Sequence, residues 1–423
     1  MSILQAMYSG SSALINFGEA MTVIGNNLAN ANTTAFKGST SQFQDVLIQT
    51  VGTNGVGSMN QVGTGVGLAD IQQNMKQGTA ISTSNVTDMS IDGRGFFKVR
   101  DSSLSSKLNS LALPMDVFYT RAGAFEKDKE GYLVASGGGQ RLQGWKLDEN
   151  GNHKVSGEAG VQDIQVPVAN ENLCAASTQV SIPVNLDDRP TAALPFNTSV
   201  RVYDSKGNPH SLRLEFNRTT NANEWSWTAQ EQDMTTGNLV GTASAANILE
   251  FDESGHYKSG SPVDLEFTLA NGSTTPLKIA FDLSSSTQVA SESATGNWTA
   301  DGYPPGNLDS LAVDRDGIVS GHYTNGQTRK MFQVALVDFS NENALEQIGA
   351  NLYKPTVQSG QPMIGVPQSS RLGSIASNSL EQSNVDISNE FIRMITTQRG
   401  FQANSRIVSV SDGMLEELIS LKR

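Results

Sequence analysis

A chain of 423 residues exceeds what one ordinary core supports, so two or three domains are expected. With 37% hydrophobic and 17% charged residues and 40 glycines, the composition is that of a folded protein rich in turns and exposed strand faces. The formal net charge of -13, with no basic cluster to reverse it locally, excludes nucleic acid as an expected partner, and the lack of an apolar run of about 18 residues argues against direct membrane insertion.

The first basic residue is Lys37, so the beginning of the chain lacks the positive region of a secretory signal or transit peptide. Either cytoplasmic residence or export without a cleaved signal is expected. From residue 2 to about 30, Ile3, Met7, Leu14, Phe17, Met21, Ile24 and Leu28 recur in steps that place them along one side of a helix, a seam for packing on another helix. Gly10, Gly18 and Gly25 interrupt it, each costing about 1 kcal/mol of helix stability relative to Ala. The segment is therefore expected to order only when a partner covers its apolar stripe.

Residues 51 to 67, VGTNGVGSMNQVGTGVG, are Gly-rich without helical period. A phosphate-cradling loop needs its glycines between a strand and a helix, followed by Lys and Ser or Thr, and neither condition holds. A flexible or extended connector is expected, matched by the polar return segment 366–379. Between the connectors the commonest signal is Asp-x-x-Gly, at Asp128, Asp148, Asp204, Asp252 and Asp314. Asp opening a type I turn and Gly at its fourth position is a hairpin device, and strand-like flanks such as 96–99, 200–203, 212–216 and 334–337 support it. The same Asp residues do not satisfy the ligand spacing of an EF-hand, so plain turns are expected. The low-complexity stretch 284–299 suggests that one β-domain is inserted into another.

Near the end, Ile387, Phe391, Met394, Phe401, Val408, Leu415 and Ile419 form a second helical seam, interrupted by Gly400 and Gly413. Asp386 or Ser388 suits the helix cap, and Glu390 sits in the first turn. The fold class expected is mainly β with terminal α-helices: paired N- and C-terminal coiled-coil-like helices plus two nested antiparallel β-domains of barrel or sandwich form. The expected division is 1–31 and 380–423 as a terminal helical assembly domain, 32–70 and 366–379 as extended connectors, 71–144 and 300–365 as an inner β-domain, and 145–299 as an inserted outer β-domain.

Chemistry finds little foothold. The histidines, His153, His210, His256 and His322, lie far apart beside turn patterns and read as exposed hairpin residues. Cys174 is alone, which excludes a disulfide within the chain. No nucleophile elbow or paired-carboxylate pattern stands out, so no catalytic residue, metal site or cofactor is expected.

The segment Ile24 to Asn30, followed by Thr33 to Lys37, and the segments Ser383 to Asp386, Gln398-Arg399 and Phe401 to Asn404 resemble the two terminal signatures of the axial rod and hook proteins of the bacterial flagellum. The matching signature positions are Asn26, Asn27, Asn30, Phe36, Lys37, Gln398, Arg399 and Asn404; the family's usual Gly before Phe-Lys is Ala35 here. Residues 118–123 and 316–327 resemble the family's shared inner β-domain, and residues 202–210 and 301–306 resemble hook members specifically. The resemblance implies a non-enzymatic subunit of the flagellar hook. It would polymerise with itself into a flexible helical tube that acts as a universal joint carrying motor torque to the filament. It also implies export through the flagellar type III apparatus without a cleaved signal, an extracellular position in the hook, and hook cap, distal rod and hook-filament junction proteins as partners. Rival readings are a distal rod subunit of the same family, or a surface-exposed carbohydrate-binding β-protein using Trp225, Trp227 and Trp298 as sugar platforms.

Overall fold

A computed structural model describes residues 3–46, 48–54, 58–101, 117–148, 151–153, 157–167, 173–189, 195–234, 238–240, 244–268, 273 and 276–421. Two long helices stand at the two ends, α1 over Ile3–Ala29 and α2 over Ile387–Ser420, and most of the described chain between them is strand. The chain forms two units, one of residues 1–166, 311–321 and 329–423, the other of 167–310 and 322–328.

In the first unit the strand Phe96–Asp101 pairs antiparallel with Val117–Thr120, Gln140–Lys146 and Leu336–Asp338. Its core is aromatic: Phe96, Tyr119, Phe339 and Tyr353 meet edge to face, with ring centroids 4.9 to 5.9 Å apart. In the second unit, Phe196–Tyr203, Pro209–Arg218 and Glu224–Gln232 form a meander. Alternate residues Leu212, Leu214, Phe216 and Trp225, Trp227, Ala229 point to one buried face, the period-two pattern of a sheet packed on one side. Trp225 and Trp227 are fully buried in that core beside Phe216 and Phe281 and so offer no platform to a sugar. Two short pairings run parallel, Gln179–Ser181 with Ala280–Asp282 and Asn185–Asp187 with Thr287–Val289, which a reading based on hairpins alone does not contain.

The Asp-x-x-Gly turns form as the sequence requires. A carboxylate oxygen of Asp128, Asp148, Asp204, Asp252 and Asp314 accepts the N–H four residues on, and Gly131, Gly151, Gly207, Gly255 and Gly317 take φ of +71° to +91°.

Two boundaries differ from expectation. Residues 145–166 stay with the first unit, because Gln140–Lys146 pairs with both Val161–Asp163 and Phe332–Val334 and the Trp145 indole donates to Gly157 O. Residues 300–310 stay with the second, where Val180 and Ser181 pair with Ala300 and Thr299, and Leu173–Ala175 pairs with Tyr303–Gly306. The segments read as connectors are also laddered: Ser39–Asp45 with Val66–Gln73, Ile48–Asn54 with Ser58–Gly63, and Ser374–Ser377 with Met89–Asp92. Residues 380 and 381, expected to belong to the terminal helical domain, instead lie in the strand Ser379–Glu381, which pairs with Ala80–Ser82. Gly-rich, polar strands carry little periodic hydrophobicity, so backbone pairing rather than side-chain burial defines them.

The histidines are separate, and two are not plainly exposed. His153 stacks on Trp145 and bonds Gln333, and His210 lies between Glu231 and Asp204.

Candidate functional site

The terminal helices pack on each other antiparallel, with Gly10 of α1 against Val408 of α2 and Phe17 of α1 against Gly400 of α2. A Cβ added at Gly10 or Gly400 would lie 2.9 Å from the Val408 methyl or the Phe17 ring. These two glycines are therefore notches for a bulky side chain of the other helix, whereas Gly18, Gly25 and Gly413 have open space where a Cβ would stand. The terminal helices are thus paired as the sequence leads one to expect, and α2 supplies part of the cover that the apolar stripe of α1 needs. Strands add cover. Asn16 donates to Val66 O at 2.9 Å, and Phe17 meets Phe43 edge to face at 6.0 Å.

The seam of α1 is half covered. Ile24 is buried, Met7, Leu14, Phe17, Met21 and Leu28 are half-buried, and the side chain of Ile3 lies outside the described residues. On α2, Met394, Val408 and Leu415 are half-buried, but Ile387, Phe391, Phe401 and Ile419 are exposed. The side of α2 turned inward holds small or polar residues, with Glu390 and Ser411 buried and Thr397, Gly400 and Asn404 half-buried. Ile392, Ile395, Ile407, Val410, Met414 and Leu418 face out, as do Leu4, Tyr8 and Ile15 of α1. The pair therefore leaves a continuous apolar surface exposed rather than closing its larger apolar residues into a core.

The base of the pair is a polar junction between both helices and the strands. Asn27, buried, accepts from Ser39 N–H at 2.9 Å and donates to Ser39 O at 2.7 Å, so its amide acts as one more strand residue. Asn384 does the same work from the other end of the chain, accepting from Gly38 N–H and donating to Asn74 O and Lys76 O. Lys37 is fully buried; its Nζ donates to Glu381 Oε1 at 2.6 Å and to Lys76 O at 2.9 Å. Arg121, also buried, lies 3.8 Å from Glu381 Oε2, donates to Gly93 O and stacks over Phe96. Burial holds both cations below their ordinary pKa, against the opposing pull of Glu381. Asp386 caps α2 by accepting from Ser388 and Asn389 N–H, as its position before the apolar run suggests.

Signature residues fall into two groups. Asn27, Phe36 and Lys37 are buried at the junction, and Asn26 and Asn30 bond each other at the end of α1. Ala35 is buried with φ +56° and donates its N–H to Glu381 O, so the left-handed backbone persists without glycine. On α2, Gln398 and Arg399 are exposed, and Asn404 donates to Gly400 O. Sequence reasoning missed Glu381, and placed Asn384 and Arg121 in segments that resemble the family without giving them a role; a charged residue in a short polar strand gives no signal of a buried partner 344 positions away in sequence.

Four family descriptions match parts of the chain: Flagella basal body rod protein at residues 7–37, Flagellar hook protein FlgE/F/G D1 domain at 90–185, Flagellar basal body protein FlaE D2 domain at 172–303, and Flagellar basal body rod FlgEFG protein C-terminal at 376–421. In fold, the chain is similar to the crystal structure of Helicobacter pylori flagellar hook protein FlgE2, at a TM-score of 0.51 and 15% identity over 71% of this chain and all of that one. Flagellar hook protein FlgE of Treponema pallidum is 33% identical over the whole of both chains; that of Borreliella burgdorferi is 32% identical over 99% of this chain and all of its own. That of Salmonella typhimurium is 31% identical, again over the whole of both. With terminal helices, nested β-units and end-to-end identity in agreement, the chain belongs to the flagellar hook protein family.

Proposed function

We propose that this chain is the structural subunit of a flagellar hook, and that its terminal helix pair is the element through which copies polymerise into a flexible tube. The observation that carries this reading is the outward placement of Ile392, Ile395, Val410, Met414, Leu4, Tyr8 and Ile15, which leaves each subunit with an apolar helical surface that only a neighbour removes from water. The β-units would then stand away from the tube axis and slide on neighbours as the tube bends, carrying motor torque as a universal joint. The role is mechanical, without catalysis. Hook cap, distal rod and hook-filament junction proteins would be its neighbours, and the type III export apparatus its route to an extracellular position without a cleaved signal.

The test is truncation at the junction. A chain lacking residues 1–30 and 387–423 keeps Lys37, Glu381 and Asn384, and should remain folded by circular dichroism while failing to form tubes under conditions where the full chain does. Unimpaired tubes from the truncated chain would overturn the assignment of polymerisation to the helices.

A further inference from the structure

The outward faces of the two helices differ in charge. In α1 the only charged side chain is Glu19, which is exposed and, among the described residues, has no hydrogen bond or ion pair. It continues the apolar stripe Leu4, Tyr8 and Ile15, whose side chains are 56%, 73% and 63% exposed, at spacings of four and seven residues that keep one face of the helix. On α2 the outward stripe Ile392, Ile395 and Val410 carries Arg399 and Arg406 within it, seven residues apart and so on one face. Arg393 is taken by Glu390 at 3.0 Å, but Arg399 and Arg406 have no acidic partner among the described residues. One stripe thus offers an unpaired anion in an apolar setting, and the other unpaired cations in an apolar setting.

Resting on the proposed polymerisation, we infer that the outward stripe of α1 docks on the outward stripe of α2 in a second copy of this chain, with Glu19 of one copy paired to Arg399 or Arg406 of the next. Burying either stripe against a neutral surface would strip water from a charge without compensation, so each stripe accepts the opposite sign and rejects its own. The two faces are different surfaces of one molecule. Their union is head-to-tail and repeats without closing on itself, the geometry of a helical polymer rather than of a twofold dimer.

Charge reversal and swap in the full chain test this, read as the protein concentration at which tubes sediment. Glu19→Arg should raise that concentration by about tenfold or more, and Arg399→Glu with Arg406→Glu should do likewise, since like charges then face each other. Glu19→Arg combined with Arg399→Glu or with Arg406→Glu should restore assembly, and whichever swap restores it fixes the register. Thermal unfolding of each variant before assembly checks that the subunit is intact; should Glu19→Arg unfold it, Glu19→Gln gives the readout, with a smaller rise expected. Assembly of the Glu19 variants at the parent concentration, or impairment that neither swap relieves, would overturn the pairing. Failure of the parent chain itself to form tubes would instead count against the proposed function.

Discussion

Lys37 and Glu381 show what single residues contribute. Glu381 faces two buried cations, Lys37 at 2.6 Å and Arg121 at 3.8 Å, whereas losing Lys37 leaves Glu381 with Arg121. Breaking a buried pair typically costs about 3–5 kcal/mol through the uncompensated charge left behind. We therefore expect Lys37→Met to cost about 3 kcal/mol in denaturant unfolding and Glu381→Leu to cost more; the reverse order would show that Arg121 does not share the carboxylate. Ala35, buried at φ +56°, has no room for a branched Cβ in that backbone, so Ala35→Val should cost about 2 kcal/mol or more in the same measurement. The tyrosines give a pH dependence. Burial raises Tyr119 and Tyr353 to about 12 from the ordinary 10.0. Because the folded values lie above the unfolded one, their contribution is fully present below pH about 10 and is lost as pH rises toward about 12. The Tyr353 hydroxyl is buried without a hydrogen-bond partner. Tyr353→Phe should therefore leave stability at pH 7 unchanged or raised by about 1 kcal/mol and weaken the alkaline loss, as thermal unfolding between pH 7 and 11 would show.

At the scale of elements, the glycines that interrupt the helices separate into contacts and open positions. Gly413 has nothing near a would-be Cβ, so Gly413→Ala should stabilise α2 by about 1 kcal/mol, while Gly400→Ala should forfeit that gain because the Phe17 ring must move. Equal effects of the two substitutions on thermal unfolding would contradict the notch. Sequence periodicity located both helices because their apolar residues recur at helical spacing, and it located the Asp-x-x-Gly turns because the conformation needs those residue types. It did not say which apolar residues meet within the chain. Phe391, Ile387 and Ile419 match the seam as well as Met394 does, but the inner side of α2 is chosen by Gly400, Asn404 and Ser411, which permit close approach and leave no hydrophobic signal. Strands such as Ser39–Asp45 and Ser374–Ser377 read as connectors for a similar reason: they are held by backbone pairing to other strands, which leaves no hydrophobic period.

For the whole molecule, nesting places the two helices, 27 and 34 residues long, beside one junction where Asn27, Lys37, Glu381 and Asn384 converge, so both ends of the chain belong to the first unit. Attachment through a hydrogen-bonded junction and apolar stripes left exposed beyond it suit a subunit of a mechanical tube. The most direct test is electron cryomicroscopy of the polymer formed by the full chain. We expect curved tubes in which α1 and α2 form the innermost layer, the outward stripe of each contacts a neighbouring copy, and the β-units lie outside. Straight, rigid tubes would favour a rod subunit, and tubes held together by the β-units with α1 and α2 free in solvent would contradict the central claim.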